Sequence, residues 1–288
     1  MGSLTDITTA LLKTSLNHCI NYTFFKNANS SSAILFIHGL GSSQNFYYSI
    51  AKKLSHQNNH SCIIFDNFGA SSSSSNLDFE NISQDLTVES IKQDVVDLLL
   101  HLKIKKVILA GHSMGGMSVN YITATTPNLD IVGNILVNPV HPTPKLKEIF
   151  DSRINTLLKT NDISSIANGV AENAVGSNCL DIVKAFIRDL VSRQTIKGYI
   201  LNCKIISHAA TLTTQYINYY KQIKTPTLII AGKEDLTAPW SGCVEVIAQN
   251  LGSETISVKQ LEGVGHWAAV ESDEKVYKLI SDFVPNDF

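Results

Sequence analysis

The sequence lacks the features that would assign it to several protein classes. Its five cysteines, Cys19, Cys62, Cys179, Cys203 and Cys243, are odd in number, widely spaced and never paired as C-x-x-C. That argues against a zinc ribbon or a disulfide framework, and reduced thiols in a cytoplasmic protein are expected. No basic stripe stands out. The 23 Lys and Arg nearly balance 25 Asp and Glu, for a net charge of −2, so nucleic acid is not an expected partner. No apolar run approaches the roughly 20 residues needed to cross a bilayer, and no membrane partner is expected. The first residues, MGSLTDITTALLKTSL, have neither the charged start nor the long apolar stretch of a secretory signal. Asp6 stands where a serine or threonine would support acylation of Gly2. None of the nine histidines lies in an H-E-x-x-H pattern, so no metal is expected. Hydrophobic residues make up 44% of the 288 positions, enough for one large core.

What the chain does have is alternation. AILFI (Ala33–Ile37), CIIFD (Cys62–Asp66), KVILA (Lys106–Ala110) and NILVN (Asn134–Asn138) predict buried strands. Between them, NFYYSIAKKL predicts a helix. TVESIKQDVVDLLLHLKI predicts another, with Thr87 as N-cap and Ile91, Val95, Leu98, Leu99 and Leu102 on one face. A third helical pattern runs from Gly115 to Thr126 and stops before Pro127. The serine tract in FGASSSSSN predicts a surface loop. Strand and helix in this order imply a parallel sheet covered on both faces. After residue 140 the pattern turns helical. Stripes at 146–158 and 180–191 and a helix around GYILNCKIISHAATL precede TPTLIIAGKED, where the α/β pattern resumes. ISVKQLEGVGHW supplies a last strand and loop, and EKVYKLISDFV a closing helix. The expected division is a core of residues 1–140 and 223–288 carrying a helical lid of residues 141–222.

Three loops carry chemistry. GHSMGG follows a strand and opens a helix, so Gly111, Ser113 and Gly115 fit a G-x-S-x-G nucleophile elbow. Such a turn exposes the serine and sets it at a helix N-terminus, whose free N–H groups favour negative charge. A serine so placed needs an acid and then a histidine further along the chain. Asp235 ends the strand in TLIIAGKED. His266 lies in the glycine-flanked loop LEGVGHW. Asn138, at the end of the preceding strand, is uncharged and cannot be the acid. HGLGSSQ (residues 38–44) follows the first core strand. It competes with a dinucleotide-binding turn, for which Gly39, Gly41 and the strand-end Asp66 would serve, but Gln44 stands at the third glycine position. Read as an oxyanion loop, it supplies the Leu40 N–H, with the Met114 N–H as second donor. His38 and His112 read as structural hydrogen-bonders.

These motifs resemble the α/β-hydrolase family over nearly the whole chain: HGLG its oxyanion loop, GHSMGG its elbow, AGKED its acid strand and GVGHW its histidine loop. The resemblance implies an eight-stranded, mostly parallel sheet flanked by helices, an all-helical lid inserted after the sixth strand, and no cofactor. Within the family the motifs are nearest to lactonases and small-ester hydrolases, typified by 3-oxoadipate enol-lactonase. Many members carry D-x-R-G-x-G-x-S after the third strand. This chain has DNFGASSS, with Phe68 for the arginine and Ser71 for the second glycine.

The expectation is therefore a small-molecule ester or lactone substrate, attacked by Ser113 with His266 as base and Asp235 as its orienter. Without the arginine, a neutral substrate sits more easily than an anionic one. Lys145, Lys147, Arg153, Arg188 and Arg193 are the lid cations that could change this, though each also reads as part of a solvated helix face. His141, Trp240 and Trp267 are the expected pocket residues. Phe150, Phe186, Tyr199 and Tyr216 are further aromatics whose simpler role is lid packing. The same triad could transfer the acyl group to an alcohol or cleave a carbon–carbon bond. A slow-turnover receptor of the same fold is the alternative from another class.

Overall fold

The computed structural model describes residues 6–27, 31–74, 86–286 and 288. Its strands are β1 (Asp6–Lys13), β2 (Cys19–Lys26), β3 (Ser32–Ile37), β4 (Cys62–Phe65), β5 (Lys106–His112), β6 (Asp130–Val137), β7 (Thr227–Gly232) and β8 (Ile256–Leu261). They form one sheet in the order β1-β2-β4-β3-β5-β6-β7-β8. β1 pairs antiparallel with β2, and β2 with β4; every other pairing is parallel. The continuous apolar runs of β4 and β7 are buried at every position, because helices cover both faces of the parallel part. The opening hairpin extends the sheet at one edge, and most of β1 is exposed.

Among the described residues three helices precede the insertion: α1 (Tyr48–Asn58), α2 (Val88–His101) and α3 (Met114–Thr125). Thr87 caps α2, and its own N–H is taken by the Ser90 hydroxyl at 3.2 Å, a reciprocal cap that secures the first turn. Between β6 and β7 lie α4 (Pro144–Thr160), α5 (Ser164–Asn173), α6 (Asp181–Ser192), α7 (Ile196–Ala209) and α8 (Thr213–Gln222). The chain closes with α9 (Glu245–Asn250), α10 (Ala268–Glu271) and α11 (Asp273–Phe283). The eight-stranded α/β sheet with a helical insertion after the sixth strand matches the expected fold class.

The details differ in places. The hairpin of β1 and β2, and helices α5, α8, α9 and α10, carry no separate assignment in the sequence reading. The expected helix at residues 45–54 is a 3₁₀ turn at Gln44–Phe46 followed by α1. Ser71–Ser74 make a 3₁₀ turn rather than open loop; the rest of the serine tract, like residues 1–5, lies outside the described residues. Phe68, at the position where many family members carry arginine, lies flat on His18 at 3.7 Å between ring centroids. His18 is in turn held by Asp94 at 2.8 Å. Among the described residues, no helix is long and apolar enough to cross a membrane.

Candidate active site

The parallel strands β5, β6 and β7 end side by side, and the chemistry-bearing loops leave from those ends. At the end of β5 the chain turns into α3 within one residue. Ser113 makes that turn at φ 55°, ψ −116°, a strained backbone for a residue with a Cβ. The turn closes only because its neighbours are glycines. A Cβ on Gly111 would run into the Gly115 carbonyl, and one on Gly115 into the Ile37 carbonyl of β3. The Ser113 N–H is anchored on Val137 O at 3.1 Å, so β6 holds the elbow from the other side.

Ser113 Oγ lies 2.9 Å from His266 Nε2, and His266 Nδ1 lies 2.8 Å from Asp235 Oδ2. All three side chains are buried. Asp235 is also the acceptor for the Asn138 amide at 2.7 Å and for the Thr237 and Ala238 N–H groups at 2.8 Å each. Burial pushes its carboxyl upward, but pairing with His266 and the Ala238 and Asn138 donors outweigh this and hold it at about 2. It is thus a carboxylate at neutral pH. Imidazole Nδ1–H donates to it, which leaves Nε2 as the acceptor for the Ser113 hydroxyl. Asn138, set aside as an acid, turns out to orient the acid.

Two further histidines shape this region, both kept neutral by burial. His38 is pushed down to about 4 and His112 well below its ordinary value. His38 Nε2 accepts the Asn67 N–H at 3.0 Å, so its proton is on Nδ1, which donates to Gly39 O at 2.7 Å. In a trans peptide the carbonyl and the next N–H point opposite ways, so fixing the Gly39 carbonyl turns the Leu40 N–H to the other side. That peptide abuts Ser113: a Cβ on Gly39 would lie 3.0 Å from Ser113 Cβ. Among the described residues the Leu40 N–H has no hydrogen-bond acceptor. The Met114 N–H begins α3, where the first-turn donors have no partner within the helix. His112 Nε2–H donates to the His266 carbonyl at 2.8 Å, steadying the histidine loop from below.

That loop is also held by a residue the sequence reading missed. Glu271 accepts the N–H groups on either side of His266, Gly265 at 2.9 Å and Trp267 at 2.8 Å, and that of Gly176 in the insertion at 2.7 Å. The His266 N–H reaches Ala174 O at 2.9 Å. Nothing local marks Glu271, since its partners are backbone groups assembled only by the fold.

The expected pocket residues separate. His141 is buried and lines a cavity of about 200 Å³ with Lys145, Leu146, Leu236, Thr237 and Cys243. Tyr220 OH and His141 Nδ1 are 3.0 Å apart. The buried hydroxyl has no other acceptor among the described residues, so it donates and the His141 proton is on Nε2. Trp240 adjoins this cavity in the chain but does not line it. Trp267 is packed against Phe46 and His112, with ring centroids 5.7 and 5.6 Å apart, and forms core beneath the histidine loop. Of the lid aromatics, Tyr199 is buried with its hydroxyl taking an Arg153 N–H at 3.2 Å, and Phe150 lies under the same guanidinium. Lys147 pairs with Asp151, Arg193 with Asp189, and Arg188 with Asn168. Among the described residues no cluster of His, Cys, Asp or Glu is arranged to hold a metal.

Sheet order, elbow and the strand-end positions of acid and histidine define an α/β-hydrolase. Residues 28–273 match the family model described as serine aminopeptidase, S33, and the chain belongs to that hydrolase family. Monoacylglycerol lipase ABHD6 of Homo sapiens is 26% identical over 275 residues, covering 91% of this chain and 78% of that protein. The sn-1-specific diacylglycerol lipase ABHD11 of Danio rerio is 26% identical over 222 residues, covering 74% of this chain and 67% of that protein. The enol-lactonase from Burkholderia xenovorans LB400 superposes with a TM-score of 0.81 over 95% of this chain and 99% of its own. At 22% identity that likeness is one of fold.

Proposed function

We propose that this protein hydrolyses a carboxylic ester or lactone through a Ser113 acyl-enzyme. The observation that carries the proposal is the continuous chain from Ser113 Oγ through His266 to Asp235 Oδ2, at 2.9 and 2.8 Å. His266 Nε2 takes the hydroxyl proton as Oγ attacks the carbonyl carbon. Asp235 keeps the imidazole in the required tautomer and balances its positive charge. The Leu40 and Met114 N–H groups stabilise the tetrahedral oxyanion, each worth about 10²–10³ in rate. When the intermediate collapses, the C–O bond breaks and His266 returns the proton to the departing alkoxide. Water, deprotonated by the same imidazole, then releases the acid and regenerates Ser113. In a lactone the two products stay joined as one hydroxy acid.

Esters are favoured over peptides by the acidic side chains. An aminopeptidase has to bind its substrate's ammonium group, but Asp235 and Glu271 are filled with internal donors, and Glu234 holds Ser177. The lipase and enol-lactonase relatives support the same class. Residues 141–222 act as the lid over a core of 1–140 and 223–288, and the His141 cavity, with its imidazole N–H and apolar rim, receives part of the substrate.

The test is a panel of aryl esters, alkyl esters, lactones and a carbon–carbon-bonded diketone, run on wild type and Ser113→Ala. Turnover of esters or lactones that falls on the order of 10⁶-fold in the variant is expected. Equal turnover by Ser113→Ala overturns the assignment. So does labelling of Ser113 without steady-state turnover, which would mark a receptor.

A further inference from the structure

We infer that Gln194, in the turn between α6 and α7, is a positioning residue that couples the lid to the oxyanion loop. The inference rests on the catalytic reading above. Its carboxamide is buried and meets three separate segments. Nε2 donates to Ser42 O in the oxyanion loop at 3.0 Å and to Leu190 O of α6 at 2.9 Å. Oε1 accepts the Ser71 N–H, in the loop after β4, at 3.1 Å. Both amide protons and the carbonyl are used, so the side chain has one satisfied orientation.

The surroundings make this contact consequential. Gly41, between Leu40 and Ser42, has φ 72°, and a Cβ there would lie 3.1 Å from Tyr199 and 3.3 Å from Val191. The insertion therefore packs directly on the loop that carries the Leu40 N–H. Asn202 of α7 donates to Phe68 O at 3.0 Å, and the two loops are joined beneath by the Gln44 N–H on Asp66 at 2.7 Å. Gln194 is the one side chain among the described residues that hydrogen-bonds both loops and an insertion helix at once. A displacement of α6 or α7 is thereby transmitted to the peptide carrying the oxyanion donor. Oxyanion donors act only within a narrow geometry, and a misplacement of about 1 Å can cost up to about 100-fold in rate.

Two substitutions separate the limbs. Gln194→Glu keeps the acceptor for Ser71 but replaces the donor to Ser42 with a carboxylate oxygen. Gln194→Met keeps the length and removes both. Arg193→Ala, at the exposed neighbour paired with Asp189, is the control. The readouts are kcat and KM on a short aryl ester, the rate of Ser113 phosphonylation, whose P–O group needs the same donors, and the thermal midpoint. For both Gln194 variants kcat and phosphonylation are expected to fall about 10-fold or more, with KM within about threefold, while Arg193→Ala matches wild type. If Gln194→Met fails to fold, the near-isosteric Glu variant decides. Variants that keep kcat within twofold overturn the inference, as does a parallel loss of kcat, KM and thermal midpoint. Ser113-independent turnover would instead sink the catalytic reading itself, so the two failures are distinguishable.

Discussion

Replacing Asp235 with asparagine tests the site through both its chemistry and its stability. Oδ1 takes the Thr237 and Ala238 N–H groups, so the side-chain oxygen of asparagine stays there. Its NH2 then occupies the place of Oδ2 and faces two donors, His266 Nδ1–H and the Asn138 amide. The imidazole escapes by moving its proton to Nε2, where it points at Ser113 and cannot accept the hydroxyl proton. A fall in kcat of about 10⁴ is expected, equivalent to roughly 5.5 kcal/mol of barrier. The stability effect has a definite sign. The carboxyl is held at about 2, below its ordinary 3.8, so its contribution is fully present above pH 4 and is lost as pH falls through 2. That contribution is on the order of 2 kcal/mol by linkage. Initial rates on an aryl ester give the first number. Urea unfolding of wild type and variant from pH 7 to pH 2 gives the second, as a gap that narrows on acidification. A variant with kcat within tenfold of wild type, or a gap that ignores pH, would refute the reasoning.

Other outcomes follow from the same geometry. Glu271→Gln gives one of three backbone N–H groups a donor in place of an acceptor; kcat should fall about tenfold with KM nearly constant, and stability by about 1–3 kcal/mol, read by steady-state kinetics and chemical unfolding. Gly115→Ala drives a Cβ into the Ile37 carbonyl and should cost about 3 kcal/mol or more; an unfolding midpoint close to wild type would contradict the close approach. His141→Phe replaces the imidazole that lines its cavity and orphans Tyr220 OH; substrate preference and KM should change several-fold across the ester panel while kcat on the best substrate stays within about threefold. Burial already holds His141 at about 4, so the kcat/KM profile above pH 6 should keep its shape in that variant.

Much of the catalytic end of the sheet was legible because its cues are local. A nucleophile elbow demands glycines at fixed offsets, and buried parallel strands demand unbroken apolar runs, so GHSMGG after VILA could be read directly. The opening hairpin was harder. β1 is an exposed edge with little apolar period, and β2 finds its partner β4 across about forty residues of chain. In the insertion, α5 buries only Ala167 and Ala171 and α8 only Tyr216 and Tyr220, stripes too thin to separate from loop. Gln194, Asn138 and Glu271 escaped for another reason. Gln194 and Glu271 are defined by backbone groups and Asn138 by the Asp235 carboxylate, partners brought in from distant segments, and no residue pattern encodes such a meeting.

Gly69 and Gly198 meet where the loop after β4 touches α7, so closely that a Cβ on Gly198 would enter the Gly69 carbonyl. Neither position can drift alone. A substitution in the core must wait on the insertion, and the reverse. The insertion is for that reason a poor candidate for exchange between related enzymes as a ready-made cassette. A chimera would fit only if donor and recipient shared the paired glycines.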